Sequence, residues 1–192
     1  MKRHIALSVV LVVLVSALGQ AQANQQAQTY QQAQTSQAPW PTDPGKLAVF
    51  IGKWSVEGDM KDGNAYGAPA GRYTYTEKYE WRPGEILVQM TRTGQGPGAD
   101  IRHSVLLGYF VTTRQYSLIG SDLMTGAVVS GTGTNEGDNW TFVNIGQRGA
   151  GRYFHERCTL KVDSENSFTV KCETSGDAQT WSASFDGKAT RS

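Results

Sequence analysis

From about residue 50 onward, apolar and polar side chains alternate one residue at a time. Gly, Asn or Asp stand at the breaks between these segments. A period of two predicts strands near 54–60, 71–81, 86–93, 101–111, 115–121, 127–132, 139–145, 153–162, 168–173 and 180–185. Ahead of them, Asp43-Pro44 reads as an N-cap followed by Pro at the first helical position. Leu47, Phe50 and Ile51 then recur at helical spacing, and Gly52 can end the turn. A short N-terminal helix followed by many short strands, with no second long helix, predicts an all-β barrel or sandwich and argues against βαβ folds.

Two hairpins can be set in register from the pattern. Strands at 154–162 and 168–173 flank the polar turn from Asp163 to Ser167. Centring that turn on Glu165 places Val162 opposite Phe168, Leu160 opposite Val170 and Cys158 opposite Cys172, all on one apolar face. The chain has 2 cysteines, so a Cys158–Cys172 disulfide is expected, worth about 3 kcal/mol in the chain-entropy model. The spacing is not Cys-x-x-Cys and no His/Cys cluster accompanies it, so a redox motif or metal centre is not expected. In the other hairpin a two-residue loop at Pro83-Gly84 pairs Trp81 with Ile86, Tyr79 with Val88, Glu77 with Met90 and Tyr75 with Arg92. Pro before Gly suits a type II turn better than the primed turns hairpins favour, which leaves this register open by one residue.

Alternation also selects the inward faces. Tyr73, Tyr75, Tyr79 and Trp81 share one with Glu77. Ile86, Val88 and Met90 share one with Arg92, and Ile101, Val105, Leu107 and Tyr109 share one with His103. Three ionisable groups, Glu77, Arg92 and His103, therefore gather on an otherwise apolar surface. A charge that leaves water must be paired or must hold something. Either the trio anchors a polar or anionic head group, with Arg92 as the grip and tyrosines as walls, or it is a self-satisfied network plugging one barrel end. Other chemistry is poorly supported. His103 and Ser104 point to opposite faces. The Gly94-to-Gly98 stretch lacks the Lys-Ser/Thr and the helix of a phosphate cradle. Neither His103 nor His155 has a partner at metal-ligand spacing.

The chain's start changes the compartment rather than the fold. A basic Met1-Lys2-Arg3-His4, an apolar run from Ile5 to Leu18 and the small residues of Ala21-Gln22-Ala23 have the three-part layout of a secretory signal. The run is shorter than the roughly 20 residues that span a bilayer. Residues 24–43 are Gln-rich and repetitive, with nothing to bury, and read as a disordered tether. The expected layout is thus a signal peptide at 1–23, a tether at 24–43 and a barrel domain at 44–192, exported to the periplasm or beyond. The formal charge of +1 becomes −1 without Lys2 and Arg3, so no basic excess invites nucleic acid or a membrane surface.

Leu47-Ala48-Val49-Phe50-Ile51-Gly52-Lys53-Trp54, a short helix running into Gly-x-Trp, resembles the start of calycin barrels, the lipocalin and fatty-acid-binding superfamily. The stretch from Ile51 to Gly58 more specifically resembles a bacterial family called domain of unknown function 1579. The Glu-bearing strand through Tyr79, Leu107-Gly108-Tyr109 and Gly120-Ser121-Asp122 fit that family's layout. The resemblance implies a single antiparallel up-and-down β-barrel of about ten strands with an interior cavity, and it implies no activity. It also implies that Trp54 closes one barrel end under a basic residue near the C-terminus, Arg191 or Lys188. Ser55, Val56 and Glu57 follow Trp54 where haem-binding nitrobindin barrels carry glycines, so haem at His155 is not expected.

The function these observations favour is non-enzymatic binding of a small apolar or amphipathic molecule, without cofactor or metal. Tyr75, Glu77, Tyr79, Met90, Arg92, His103 and Tyr109 are the candidate ligand residues, and no catalytic residue is assigned. An enzyme using Glu77 or His103 for proton transfer, and a solid barrel serving as an interaction module, are the alternatives.

Overall fold

The computed structural model describes residues 44–64, 67–123, 126–148 and 151–192. The signal and tether expected at 1–23 and 24–43 lie outside them, as does the Asp43 cap. Ten strands follow one short helical turn: β1 Gly52–Met60, β2 Gly71–Trp81, β3 Val88–Gly96, β4 Ala99–Phe110, β5 Gln115–Asp122, β6 Val128–Glu136, β7 Asn139–Arg148, β8 Arg152–Ser164, β9 Ser167–Ser175 and β10 Ser182–Arg191. Each pairs antiparallel with its sequence neighbour, and β10 returns to β1 to close the barrel. This is the up-and-down barrel expected.

Three local expectations are corrected. The N-terminal helix is a 3-10 turn, Pro44–Phe50, with Ile51 N donating to Ala48 O. It goes no further because the Trp54 indole Nε1 donates to Phe50 O at 2.6 Å, taking the carbonyl a continuing helix would use. The second correction is the β2–β3 register. Ile86 and Leu87 belong to a wider loop, closed by Arg82 N donating to Leu87 O and Glu85 N to Arg82 O, so β3 starts at Val88. Trp81 pairs with Val88, Tyr79 with Met90 and Glu77 with Arg92. The third is the last strand, which runs from Ser182 through Arg191 rather than ending at Phe185. Its tail is weakly apolar and is held by pairing on both sides, to β1 and β9. The β8–β9 register stands as expected, with Cys158 opposite Cys172 and a disulfide between them.

The barrel has two unlike ends. At the end where β1 begins and β10 finishes, the 3-10 turn drives Phe50 inward against Tyr79, Trp140 and Phe168. Trp54 packs on Phe168, and Tyr116 on Trp140. These rings form an aromatic floor across this end of the barrel. It is locked by Arg191, whose guanidinium lies 4.3 Å from the Trp54 ring. Arg191 donates from Nη1 to Ile51 O at 2.6 Å and from Nη2 to Val49 O at 3.3 Å. Gly52 makes this possible: its φ is +128°, and a side chain there would press on the Arg191 fork. Lys188, the other basic candidate, is on the outer face.

Two outcomes follow. Thiol labelling of unreduced protein should find no free cysteine, and the Cys158→Ser/Cys172→Ser variant should lose about 3 kcal/mol in denaturant unfolding. Arg191→Met should cost about 2–3 kcal/mol by the same assay, since it removes a cation–π contact and charged hydrogen bonds to the backbone carbonyls of Val49, Ile51 and Glu165. Arg191→Lys should recover only part of that loss, because an ammonium cannot reach all three carbonyls from over the ring.

Candidate functional site

The opposite end of the barrel buries Tyr73, Tyr75 and Phe185 but is not fully closed. Inward-facing side chains there remain in contact with water: Arg92 is 28% exposed, His103 34% and Asp122 30%. β2 alternates cleanly, burying Tyr73, Tyr75, Glu77 and Tyr79. The wider β2–β3 loop moves the register by two residues, which leaves every side chain on its expected face and sets Arg92 directly across from Glu77. Its Nε and Nη2 donate to Glu77 Oε1 at 2.9 and 2.6 Å. Tyr79 Oη donates to Glu77 Oε2 at 2.8 Å. The guanidinium also stacks on Tyr75, 4.6 Å from the ring centre. Both Arg92 contacts to Glu77 go to one oxygen, and Nη1 donates to no described residue. The buried carboxylate is fully engaged; the cation is not.

Arg92 pairs with His103 across β3–β4, and His103 with Asp122 across β4–β5. His103 Nε2 lies 3.7 Å from the Asp122 carboxylate. Burial pushes the imidazole down to about 4, and the neighbouring Arg92 charge adds to that fall, against an opposing pull from Asp122. His103 is therefore neutral at physiological pH, not a second cation as its unperturbed range near 6.5 would suggest. Burial raises the Tyr75 and Tyr79 hydroxyls well above their usual range, so both remain donors.

The candidate residues do not all gather here. Tyr75, Glu77, Arg92 and His103 form one cluster, with Met90 a step below, between Tyr79 and Val105. Tyr79 bridges cluster and floor, its ring stacked on Phe50. Tyr109 lies at the floor against Tyr116, three inward positions below His103 on β4.

A second polar group faces the cluster, and the sequence reading does not anticipate it. Asn144 on β7 and Glu156 on β8 are cross-strand partners, and Thr174 on β9 is the next partner along. Asn144 Nδ2 donates to Glu156 Oε2 at 2.9 Å. Burial raises the Glu156 carboxyl to about 7. The signal for these residues is present: Asn144 continues the face of Trp140 and Phe142, and Glu156 that of Cys158 and Leu160. The Glu156 carboxylate lies within 4.8 Å of both Cys158 and Cys172 sulfurs, but these are bridged to each other and offer no thiolate to a metal. A groove of about 670 Å³ on the outer faces of β1, β2, β9 and β10 is a poor rival site. Its Arg72 is already tied to Glu57 and Asp59, and its Asp186 to Lys61.

The His103 environment has a measurable sign. Its folded-state value of about 4 lies below the unfolded value near 6.5. The neutral-ring contribution to stability is present above pH 6.5 and is lost as pH falls through 4. His103→Gln should therefore gain on the parent by roughly 1–2 kcal/mol between pH 6.5 and 4, allowing for water at the ring. An imidazole NMR titration should show a midpoint near 4 rather than 6.5.

No protein-family description matches the chain, and no curated protein matches it. Among solved structures it is similar to the crystal structure of Rv2717c from M. tuberculosis, at 12% identity over 77% of this chain and 96% of that one, with a TM-score of 0.59. It is also matched by a redesigned beta barrel, at 12% identity over 76% of this chain and 94% of that one, TM-score 0.44. A third match is a de novo designed fluorescence-activating beta barrel, at 16% identity over 76% of this chain and 96% of that one, TM-score 0.42. At these identities the first likeness is one of fold, and it agrees with the closed antiparallel barrel described above.

Proposed function

We propose that this chain is an exported barrel that binds a small amphipathic anion in its open half, with Arg92 meeting the acidic end. The observation that carries this reading is the unspent edge of Arg92. A self-contained structural ion pair would use the whole fork. Here a cation sits partly exposed on the barrel's inner face, with Nη1 free of described partners and Tyr75 holding the plane of the guanidinium. A planar fork so presented suits a carboxylate. Tyr75, Met90 and Val105 supply apolar wall, and neutral His103 can donate or accept beside it. Because the floor is filled, the ligand lies in the upper half only, and Tyr109 is not part of its surface.

Export is supported by the disulfide, which is at home in an oxidising compartment, and by the basic-apolar-small layout of 1–23, followed by the tether at 24–43. The 3-10 turn leading into Gly52-Lys53-Trp54, with Arg191 stacked on Trp54, supports placing the barrel with the calycins and the family called domain of unknown function 1579.

The test is calorimetric titration of the purified protein with straight-chain carboxylates from octanoate to dodecanoate. Arg92→Met should weaken binding at least tenfold, while Arg72→Met, an outer-face control, should not change it. Arg92→Met also orphans buried Glu77 and should cost about 2–4 kcal/mol of stability. Should it fail to fold, Glu77→Leu/Arg92→Met removes the orphaned charge and preserves the test. Carboxylate affinity that is independent of Arg92 overturns the reading.

A further inference from the structure

The outer surface of the barrel is divided. On β1, β2, β9 and β10 the outward positions are rich in charge, with Glu57, Arg72, Lys171 and Lys188 among them. The outward positions of β5, β6 and β7, across the ring, are different. Among the described residues they carry a single charge, Glu136, at the last position of β6. Aliphatic side chains stand in water there instead: Ile119 is 56% exposed and Ile145 48%. Leu106 on β4, Val128 on β6, Val143 on β7 and Tyr153 on β8 are exposed around them.

Register joins these residues into one patch. Leu106 pairs with Ile119, Ile119 with Ser130, and Ser130 with Ile145, an unbroken row across four strands about 4.8 Å apart. Val143 is the next outward residue of β7, and Val128 that of β6. From Ser130 to Thr134 the outward side chains of β6 are only Ser and Thr, so β6 forms a shallow trough between the aliphatic ridges of β5 and β7. The pattern is inverted for strands that serve only their own core. Gly120 and Gly146 point inward, towards Val105 and the Phe154 ring, while their neighbours Ile119 and Ile145 point outward. A contiguous exposed apolar patch of this kind marks an interaction surface.

The chemistry of the patch selects its occupant. The barrel is closed, so it has no free edge for an added strand. A charged partner would bury its charges against a face with nothing to pair them. A lipid surface is met by basic residues around the apolar ones, and the described outward positions of these three strands hold no Lys or Arg. The partner is therefore neutral and apolar, with a ridge to fill the trough. The same face on a second copy has both. A two-fold axis sets a surface patch on itself, so the β5 ridge of each copy enters the β6 trough of the other. With ordinary strand spacing, β4 to β8 offer a footprint of roughly 24 by 20 Å, so two copies bury roughly 1,000 Å², the size at which specific interfaces begin.

We propose that the outward face of β5, β6 and β7 is the two-fold interface of a homodimer of this chain, one that exchanges with monomer rather than being obligate. None of this rests on Arg92 or on a ligand.

Sedimentation velocity of the purified protein from about 5 to about 200 µM tests it. Dimer should be the major species at the top of that range and should dissociate towards the bottom. Ile119→Glu/Ile145→Glu should raise the dissociation constant at least tenfold, and Lys171→Glu on the far wall should leave it unchanged. Both isoleucines are half in water, so the fold should persist, with an unchanged far-UV circular dichroism spectrum. Ser130→Arg, in the trough, serves as the second variant if the first does not fold. A parent that stays monomeric throughout, or a dimer that withstands these substitutions, overturns the proposal. Flotation with phosphatidylcholine and phosphatidylglycerol vesicles should recover no protein. Vesicle binding by a monomeric parent, lost in Ile119→Glu/Ile145→Glu, would assign the face to lipid and overturn the dimer.

Discussion

Closure of the sheet is the constraint from which the rest follows. Ten strands left open would expose two edges of unpaired backbone groups. Here β10 returns to β1 along a seam from Met60–Phe185 to Trp54–Arg191. The seam also brings the chain's last residues onto its first turn. Arg191 covers Trp54, holds the carbonyls of Val49 and Ile51, and donates its backbone N to Asn166 O at the β8–β9 turn. One residue thus ties the 3-10 turn, the first strand and a distant hairpin together. It can do so only because Gly52 leaves the guanidinium room. Closure fixes more than stability. In a ring of ten strands each strand has an antipode, and a polar residue on β3 must look across at β8.

The filled floor is what allows the mouth to be polar. Phe50, Trp54, Tyr116, Trp140 and Phe168 bury large apolar areas at one end. Glu77 sits at the boundary. Tyr79, part of the floor, holds one of its oxygens, and Arg92, part of the mouth, holds the other. The carboxylate is dry while its cation is wet on one side, so the pair escapes the full desolvation penalty of two buried ions. Removing either partner would still leave a buried group unsatisfied. The site is therefore built into the packing of the floor rather than laid over it.

Much of this is legible in the sequence, and the reason is parity. Alternation fixes which face a side chain occupies, and an error of two residues in register leaves that face unchanged. The β2–β3 hairpin shows it. Pro83-Gly84 suggests a two-residue loop, yet Ile86 and Leu87 belong to the loop, and Glu77 meets Arg92 directly instead of diagonally. The β8–β9 hairpin is readable because its two apolar runs are symmetric about a polar turn. The last strand reads too short because Gly187-Lys188-Ala189-Thr190 carries little hydrophobic signal, and its conformation is imposed by two neighbours. Asn144 and Glu156 escape notice for a related reason. Hydrophobic periodicity marks inward positions by their apolar residues, so a polar residue at such a position reads as an interruption. Tyr109 falls into the expected site because parity gives the face but not the depth along the strand.

The charges inside the mouth narrow what it can hold. The inward-facing groups described above comprise one cation, Arg92, and three carboxylates, Glu77, Asp122 and Glu156. Arg92 is neutralised by Glu77, and His103 adds no positive charge until pH falls to about 4. A purely anionic guest would thus enter a space that already leans negative above pH 7, where Glu156 is ionised. The two titrating groups also pull stability in opposite directions. The Glu156 contribution is present below about pH 4.5 and lost as pH rises through about 7, whereas that of His103 is lost as pH falls from 6.5 through about 4. The two slopes partly cancel across mildly acidic pH, so the interior charge changes there with little net effect on the fold.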